Sequence, residues 1–216
     1  MKKTMKNILV GFALLSGIVM AGGNPVSADT NSDVNQILKD SNGNPIVYGQ
    51  EYYMESYDHP GYRTGIISHL GTITLENTNT HPIKFQKSIA QFEYPESVDI
   101  QIASNSDYWP WRYILKMHPN YLWGGNNDYG GNRYTKYRTW LPTKPSADMN
   151  PDLTTGNYYA LKNPYEFRVY EWNPITEKDE PVDVPSGYIS HNGIEKELIP
   201  NPTLDSKAMW RFIPKQ

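Results

Sequence analysis

The chain of 216 residues contains no cysteine. Disulfide bonds, cysteine-based zinc sites and thiol nucleophiles are therefore excluded, and the core alone has to stabilise the fold. The motifs G-x-S-x-G, H-E-x-x-H and the P-loop are also missing, and the five histidines show no spacing typical of metal ligands. We expect no enzymatic activity, no metal and no cofactor.

Basic residues are fewer than acidic ones. The chain has 20 Lys and Arg and 23 Asp and Glu, which gives a net charge of −3 at pH 7. An excess of negative charge disfavours nucleic acids and anionic membrane surfaces as partners.

Long apolar runs are scarce except near the beginning of the chain. Lys2, Lys3 and Lys6 precede the apolar segment 8–21, and Val26-Ser27-Ala28 follows it. This pattern predicts a secretory signal at residues 1–28, and the apolar segment is shorter than the ~20 residues of a membrane-spanning helix. We therefore expect a secreted, extracellular bacterial protein in which residues 29–216 form a single domain.

Helix signals are rare, whereas Pro, Gly and Asn recur about every ten residues and divide the chain into short segments. Several segments alternate apolar and polar residues, as strands with one buried face do. The sequence therefore predicts an all-β domain. The predicted strands include GQEYYMES, RTGIISH, GTITLEN, PIKFQKS, SVDIQIAS, WRYILKM, YYALKN, YEFRVYEW, SGYISHN and AMWRFIP.

Two internal repeats refine this prediction. Tyr52-Tyr53 recurs as Tyr158-Tyr159, and the segment 111–114 (WRYI) recurs as 210–213 (WRFI). Both offsets are close to twice fifty, which indicates three units of about fifty residues. Three four-stranded units describe a β-trefoil, although the two repeats are out of phase and one of them has to be coincidental. A β-sandwich is the alternative.

The segment LKDSNGNPIVYGQEYYM, residues 38–54, resembles the N-terminal signature of the soybean-type Kunitz trypsin inhibitors, which are β-trefoils. The matching residues are Asp40, Gly43, Asn44, Pro45, Ile46, Gly49, Tyr52, Tyr53 and Met54. Asn42-Gly43 suits a turn with positive φ, and Tyr53 is expected to face the barrel interior. Unlike this chain, most of those inhibitors carry disulfides.

The resemblance implies inhibition of a trypsin-like extracellular serine protease by a substrate-like exposed loop. Counting from the signature places that loop at Pro110, Trp111, Arg112 and Tyr113, with Arg112 as the specificity residue. Lys144 is a weaker choice because Pro145 follows it, and Arg63 and Arg138 stay open. The other interpretation of Arg112 is a solvent-facing residue of a barrel strand.

The alternative function is that of a carbohydrate- or receptor-binding trefoil, which includes an accessory component of a secreted toxin. Segment 121–140 is rich in Tyr, Trp, Asn and Gly, the composition of a sugar-binding loop and also of a plain surface loop. The residues predicted for that site are Trp123, Tyr129, Tyr134 and Trp140. The Gln-x-Trp repeat of ricin-like lectins is missing.

Overall fold

The computed structural model describes residues 38–67, 71–125 and 135–216. The predicted signal at residues 1–28 lies outside this part of the chain. Within it, strands carry most of the regular structure and no helix is long and apolar enough to cross a membrane.

The strands are β1 (Glu51–Ser56), β2 (Arg63–Ile67), β3 (Thr72–Glu76), β4 (Ile83–Lys87), β5 (Val98–Ala103), β6 (Trp111–Leu115), β7 (Trp123–Gly125), β8 (Thr139–Thr143), β9 (Ala160–Asn163), β10 (Phe167–Asn173), β11 (Lys178–Val184), β12 (Gly187–His191), β13 (Leu198–Asn201) and β14 (Trp210–Pro214). The helices are α1 (Thr135–Arg138), α2 (Pro151–Thr155) and two 3-10 helices, Ile89–Phe92 and Ser206–Ala208.

Six strands form a closed barrel. β1 pairs with β4, β4 with β5, β5 with β8 and β8 with β9, all antiparallel. β14 pairs with β1, and a bridge between Tyr159 and Trp210 connects it to the chain just before β9. This last contact closes the ring.

Three hairpins, β2–β3, β6–β7 and β12–β13, complete the three units. They also contact one another, since Thr72 of β3 faces Trp123 of β7 and Thr74 bridges to Glu197 beside β13. A six-stranded barrel with three hairpins is a β-trefoil, so the predicted fold is confirmed. The β-sandwich alternative is wrong because the barrel ring closes.

The third unit contains an inserted hairpin. β9 pairs with β12, yet β10 and β11 lie between them in sequence and form a separate two-stranded sheet. Its register runs from Phe167 opposite Val184 to Asn173 opposite Lys178. This inserted hairpin breaks the threefold pattern of the trefoil.

Barrel register shows which residues are equivalent between units. Tyr52 faces Ile83 in the first unit, Val98 faces Trp140 in the second, and Tyr159 bridges to Trp210 in the third. The predicted tyrosine repeat is therefore genuine, but the equivalent of Tyr52 is Tyr159 and not Tyr158.

The predicted WRYI–WRFI repeat is the coincidental one, because residues 111–114 lie in a hairpin strand and residues 210–213 in a barrel strand. The genuine tryptophan repeat is Trp140 and Trp210, both fully buried. Trp140 Nε1 donates to the carbonyl of Ile114 in β6 at 3.0 Å, and Trp210 Nε1 donates to Ile189 in β12 at 2.9 Å. In units two and three, one indole thus connects the barrel to its hairpin.

The signature segment folds as its sequence predicts, with one correction. Gly43 has φ +83°, and the buried carboxylate of Asp40 accepts hydrogen bonds from the N–H groups of Asn42 and Asn44 at 2.8 and 2.9 Å. Tyr53, however, does not face the interior. Tyr52 is the buried residue, and the guanidinium of Arg63 covers the outward-facing ring of Tyr53 at 4.5 Å.

We predict that Trp210→Phe lowers the free energy of unfolding by about 2–4 kcal/mol, because it leaves a cavity and an unsatisfied carbonyl at Ile189. Pro200, which faces Ile189 in β13, has no N–H to replace the indole. Trp140→Phe should cost a similar amount. Urea unfolding measures both, with Trp109→Phe at a 46% exposed position as the control. A loss below about 1 kcal/mol would show that the indoles do not connect barrel and hairpin.

Candidate functional site

The residues predicted for protease inhibition do not form an exposed loop. Pro110 ends the exposed β5–β6 loop, and the strand ladder starts at Trp111, which faces Ala103. Arg112 and Tyr113 lie within β6, opposite Ile102 and Gln101 in β5, and Arg112 Nε is buried. Arg112 was predicted to lie on a protruding loop, but it lies in a hairpin strand that pairs with barrel strand β5.

Counting from the signature placed the inhibitory loop after the fifth strand instead of before it. The passage from the fourth to the fifth strand is 88–97, which contains the 3-10 helix Ile89–Phe92 and neither Lys nor Arg. Arg63 and Arg138 are engaged elsewhere, since Arg63 pairs with buried Glu55 at 3.7 Å and Arg138 with buried Asp99 at 2.8 Å.

The β5–β6 loop, residues 104–110, is exposed but internally braced. Ser104 Oγ donates to the carbonyl of Trp109 at 2.5 Å, and the N–H of Ser104 donates to the carbonyl of Pro110 at 2.8 Å. Tyr108 is 88% exposed at its tip.

The residues predicted for ligand binding separate in the structure. Trp140 is fully buried in the core, so its predicted role in an exposed site is wrong. Tyr129 and Tyr134 lie outside the described residues. Trp123 in β7 is half-buried and lines an open cleft.

This aromatic cleft has a volume of about 450 Å³ and lies between the trefoil body and the inserted hairpin. The body contributes the start of β3, the β6–β7 connection and β7, whereas the hairpin contributes β10. The lining consists of Thr72, Met117, His118, Tyr121, Trp123, Val169, Tyr170 and Glu171.

Two aromatic residues of the body have fixed positions in the cleft. Tyr121 stacks on His118 with ring centroids 4.3 Å apart and an interplanar angle of 18°. The indole of Trp123 lies directly over Gly71, where an added Cβ would come within 2.1 Å of Nε1. Gly71 also has φ +73°, so glycine is required there on two counts.

The polar part of the cleft is the pair His118 and Glu171. His118 Nδ1 accepts a hydrogen bond from the N–H of Asn120 at 3.0 Å, so the ring proton resides on Nε2. Nε2 lies 2.6 Å from Glu171 Oε1 across the cleft. The contact joins the body to the inserted hairpin.

The inserted hairpin is attached to the body by buried Lys116. Its Nζ donates to the carbonyls of Tyr165 at 2.6 Å and Pro185 at 2.7 Å, one on each side of the hairpin. The Phe167 ring lies 5.0 Å from the same Nζ. Burial lowers the pKa of Lys116 to about 8.

Among the described residues, the lining carries one carboxylate and neither lysine nor arginine. Aromatic faces suit the apolar face of a ligand, and a carboxylate accepts hydrogen bonds from its hydroxyl groups. The cleft therefore favours a neutral polyhydroxylated ligand and disfavours an anion.

Ser56 and His191 lie side by side but do not form a nucleophile and its general base. Ser56 Oγ lies 3.2 Å from His191 Nε2, but His191 Nδ1 accepts from the N–H of Gly193, so Nε2 holds the proton and cannot remove one from Ser56. Burial lowers the pKa of His191, as does neighbouring His59. The same part of the chain contains no group of three His, Asp or Glu placed to bind a metal ion.

No protein-family model matches the chain, and no curated protein is similar to it in sequence. Solved structures do share its fold. They include the botulinum neurotoxin serotype D binding domain (TM-score 0.53, 12% identity), the Kunitz-type cysteine protease inhibitor PCPI-3 from potato (0.51, 14%) and the water-soluble chlorophyll protein of Brassica oleracea var. Botrytis with chlorophyll-b (0.50, 14%).

Each match covers 83–84% of this chain. It covers 45% of the neurotoxin binding domain, 97% of the potato inhibitor and 99% of the chlorophyll protein. This chain thus spans less than half the length of the botulinum neurotoxin binding domain that it matches. At such identities the likeness shows the fold alone, and the resemblance to Kunitz inhibitors is one of structure.

We predict that stability rises with pH between about 8 and 10.5 because of Lys116. Its pKa is lowered in the folded chain from the ordinary 10.5 to about 8, so over this window the unfolded chain binds more protons. Urea unfolding should show that the difference in unfolding free energy between wild type and Lys116→Met increases across the window. Lys178→Met, at an exposed position, is the control, and a difference that stays constant with pH would contradict the assignment.

Proposed function

We propose that the chain is an extracellular binding module for neutral glycans and that the aromatic cleft is its binding site. The observation that carries the proposal is the meeting of Tyr121, Trp123 and Glu171 in one cleft formed by two separate parts of the fold. A volume of about 450 Å³ accommodates one or two sugar rings and falls in the usual range of ligand pockets.

The expected mode of binding follows from the lining. One face of a sugar ring packs against the ring of Tyr121 or Trp123, and its hydroxyl groups donate to the carboxylate of Glu171. Sialic and uronic acids are disfavoured because Glu171 would repel their carboxylates. The predicted secretory signal is consistent with this function, since it would bring the chain to extracellular glycans.

The test is titration of the purified chain with neutral oligosaccharides selected from a glycan array, followed by calorimetry. Tyr121→Ala should weaken binding at least tenfold because the stacking surface is lost. Glu171→Gln should weaken it about tenfold, because a neutral amide accepts weaker hydrogen bonds than a carboxylate.

The matched controls are Tyr108→Ala and Glu96→Gln, which remove the same groups at exposed positions outside the cleft. Both should leave the dissociation constant unchanged, and all four variants should remain folded at the temperature of the titration. The proposal fails if no neutral glycan binds at millimolar concentration, or if Tyr121→Ala binds as well as wild type.

Inhibition of an extracellular serine protease is a second candidate, favoured by the braced β5–β6 loop. A loop ordered before binding loses little entropy on association. Its exposed tip residue is Tyr108, and it contains neither Lys nor Arg. The hydrophobic primary pocket of a chymotrypsin-like protease would accept Tyr108. The acidic primary pocket of trypsin binds Lys or Arg, and this loop contains neither.

The corresponding experiment is titration of chymotrypsin, subtilisin and trypsin with the purified chain. If the loop is inhibitory, chymotrypsin is inhibited stoichiometrically, Tyr108→Ala loses at least tenfold in affinity and Arg112→Ala loses none. Inhibition of trypsin that disappears in Arg112→Ala would instead restore Arg112 as the specificity residue. If none of the three proteases is inhibited at micromolar concentration, this candidate is excluded for them.

A further inference from the structure

A second concave site lies away from the aromatic cleft, where the signature segment meets the β8–β9 connection. This lysine pocket has a volume of about 300 Å³ and shares no residue with the cleft. Its polar lining consists of Lys39, Lys144, Thr154, Asn157, Tyr158 and Tyr159.

The charged residues that line the lysine pocket are all positive. Both charged residues that line it are lysines, and no carboxylate of the described residues does so. This contrasts with the chain as a whole, in which acidic residues outnumber basic ones. Two ammonium groups beside one concavity produce a local positive potential that attracts anions.

The carboxylate that adjoins Lys39 in sequence is engaged in its own turn. Asp40 accepts hydrogen bonds there from the backbone N–H groups of Asn42 and Asn44. Neither Lys39 nor Lys144 forms an ion pair within the described part of the chain. Their charge is therefore available to a ligand.

The carboxyl end of α2 also borders the lysine pocket, and free carbonyl groups there would oppose an anion. They are capped: the N–H of Gly156 donates to Asp152, that of Asn157 to Thr154 and that of Tyr158 to Leu153. The side chains of Thr154 and Asn157 add hydroxyl and amide donors to the lining.

We infer that the lysine pocket binds a small oxyanion, namely a sulfate or phosphate group, either as the free ion or as an ester on a sugar. The lysines supply the charge, and the hydroxyl and amide groups supply directional hydrogen bonds. This inference is independent of the glycan-binding proposal, because the two sites share no residue.

The test is an NMR titration of the purified chain with sodium sulfate, sodium phosphate, glucose 6-sulfate and glucose 6-phosphate at constant ionic strength. The backbone amides of Asn157 and Tyr158 should shift in a saturable way with at least one of these probes. Stronger binding of an ester than of the inorganic ions identifies a sugar-linked ligand, and equal binding identifies the free ion.

Lys39→Gln and Lys144→Gln should each weaken binding about tenfold, and the double variant should not saturate. Lys178→Gln removes the same charge from the exposed inserted hairpin and should leave the affinity unchanged. The inference is overturned if no probe saturates below about 20 mM, or if Lys178→Gln weakens binding as much as the pocket variants. All these lysines are exposed, so the variants should fold normally.

Discussion

One buried ammonium group determines where the inserted hairpin lies. Lys116 is removed from water, which is tolerated only because its Nζ donates to carbonyls on both sides of the hairpin. Its backbone N–H donates to Tyr137 and fixes α1 as well. His118 and Tyr121, which line the body side of the cleft, follow Lys116 closely in the chain. Lys116 therefore also sets the distance between this side of the cleft and the inserted hairpin.

The trefoil explains why the cleft lies beside an insertion. Barrel positions repeat between units, and each has to fill the interior, as Trp140 and Trp210 do with the same hydrogen-bonding pattern. Residues under that constraint have little freedom to bind a ligand. The inserted hairpin has no equivalent among the described residues of the first two units, and it brings Glu171 to aromatic residues of the second unit.

The sequence was informative where the determinants are local. The turn at Gly43 depends on neighbouring residues and was predicted correctly. Alternation identified the strands but not always the solvent-facing side, since the polar residues Thr74 of β3 and Asp99 of β5 are buried. The direction of Tyr53 was wrong because adjacent tyrosines leave the inward position ambiguous until the register with β4 and β14 is known. Arg112 was misplaced because the count from the signature assumed a connection length that this chain does not have.

The aromatic cleft depends on long-range pairing and was predicted only through Trp123. Alternation within β10 is the same as in a barrel strand, so the pattern did not reveal that β10 and β11 form a separate sheet. The proximity of His118 and Glu171 follows from that sheet and from Lys116. Trp140 was assigned to the site by composition, although a large aromatic residue in a strand serves equally well as core.

The central claim is that a neutral glycan binds between the inserted hairpin and the trefoil body. Hydrogen–deuterium exchange of the full chain, with and without a saturating neutral oligosaccharide, tests it most directly. The account predicts that protection increases in segments 117–123 and 167–173 together, since the ligand would contact both walls of the cleft. Protection confined to the β5–β6 loop, or to only one of the two segments, would contradict it.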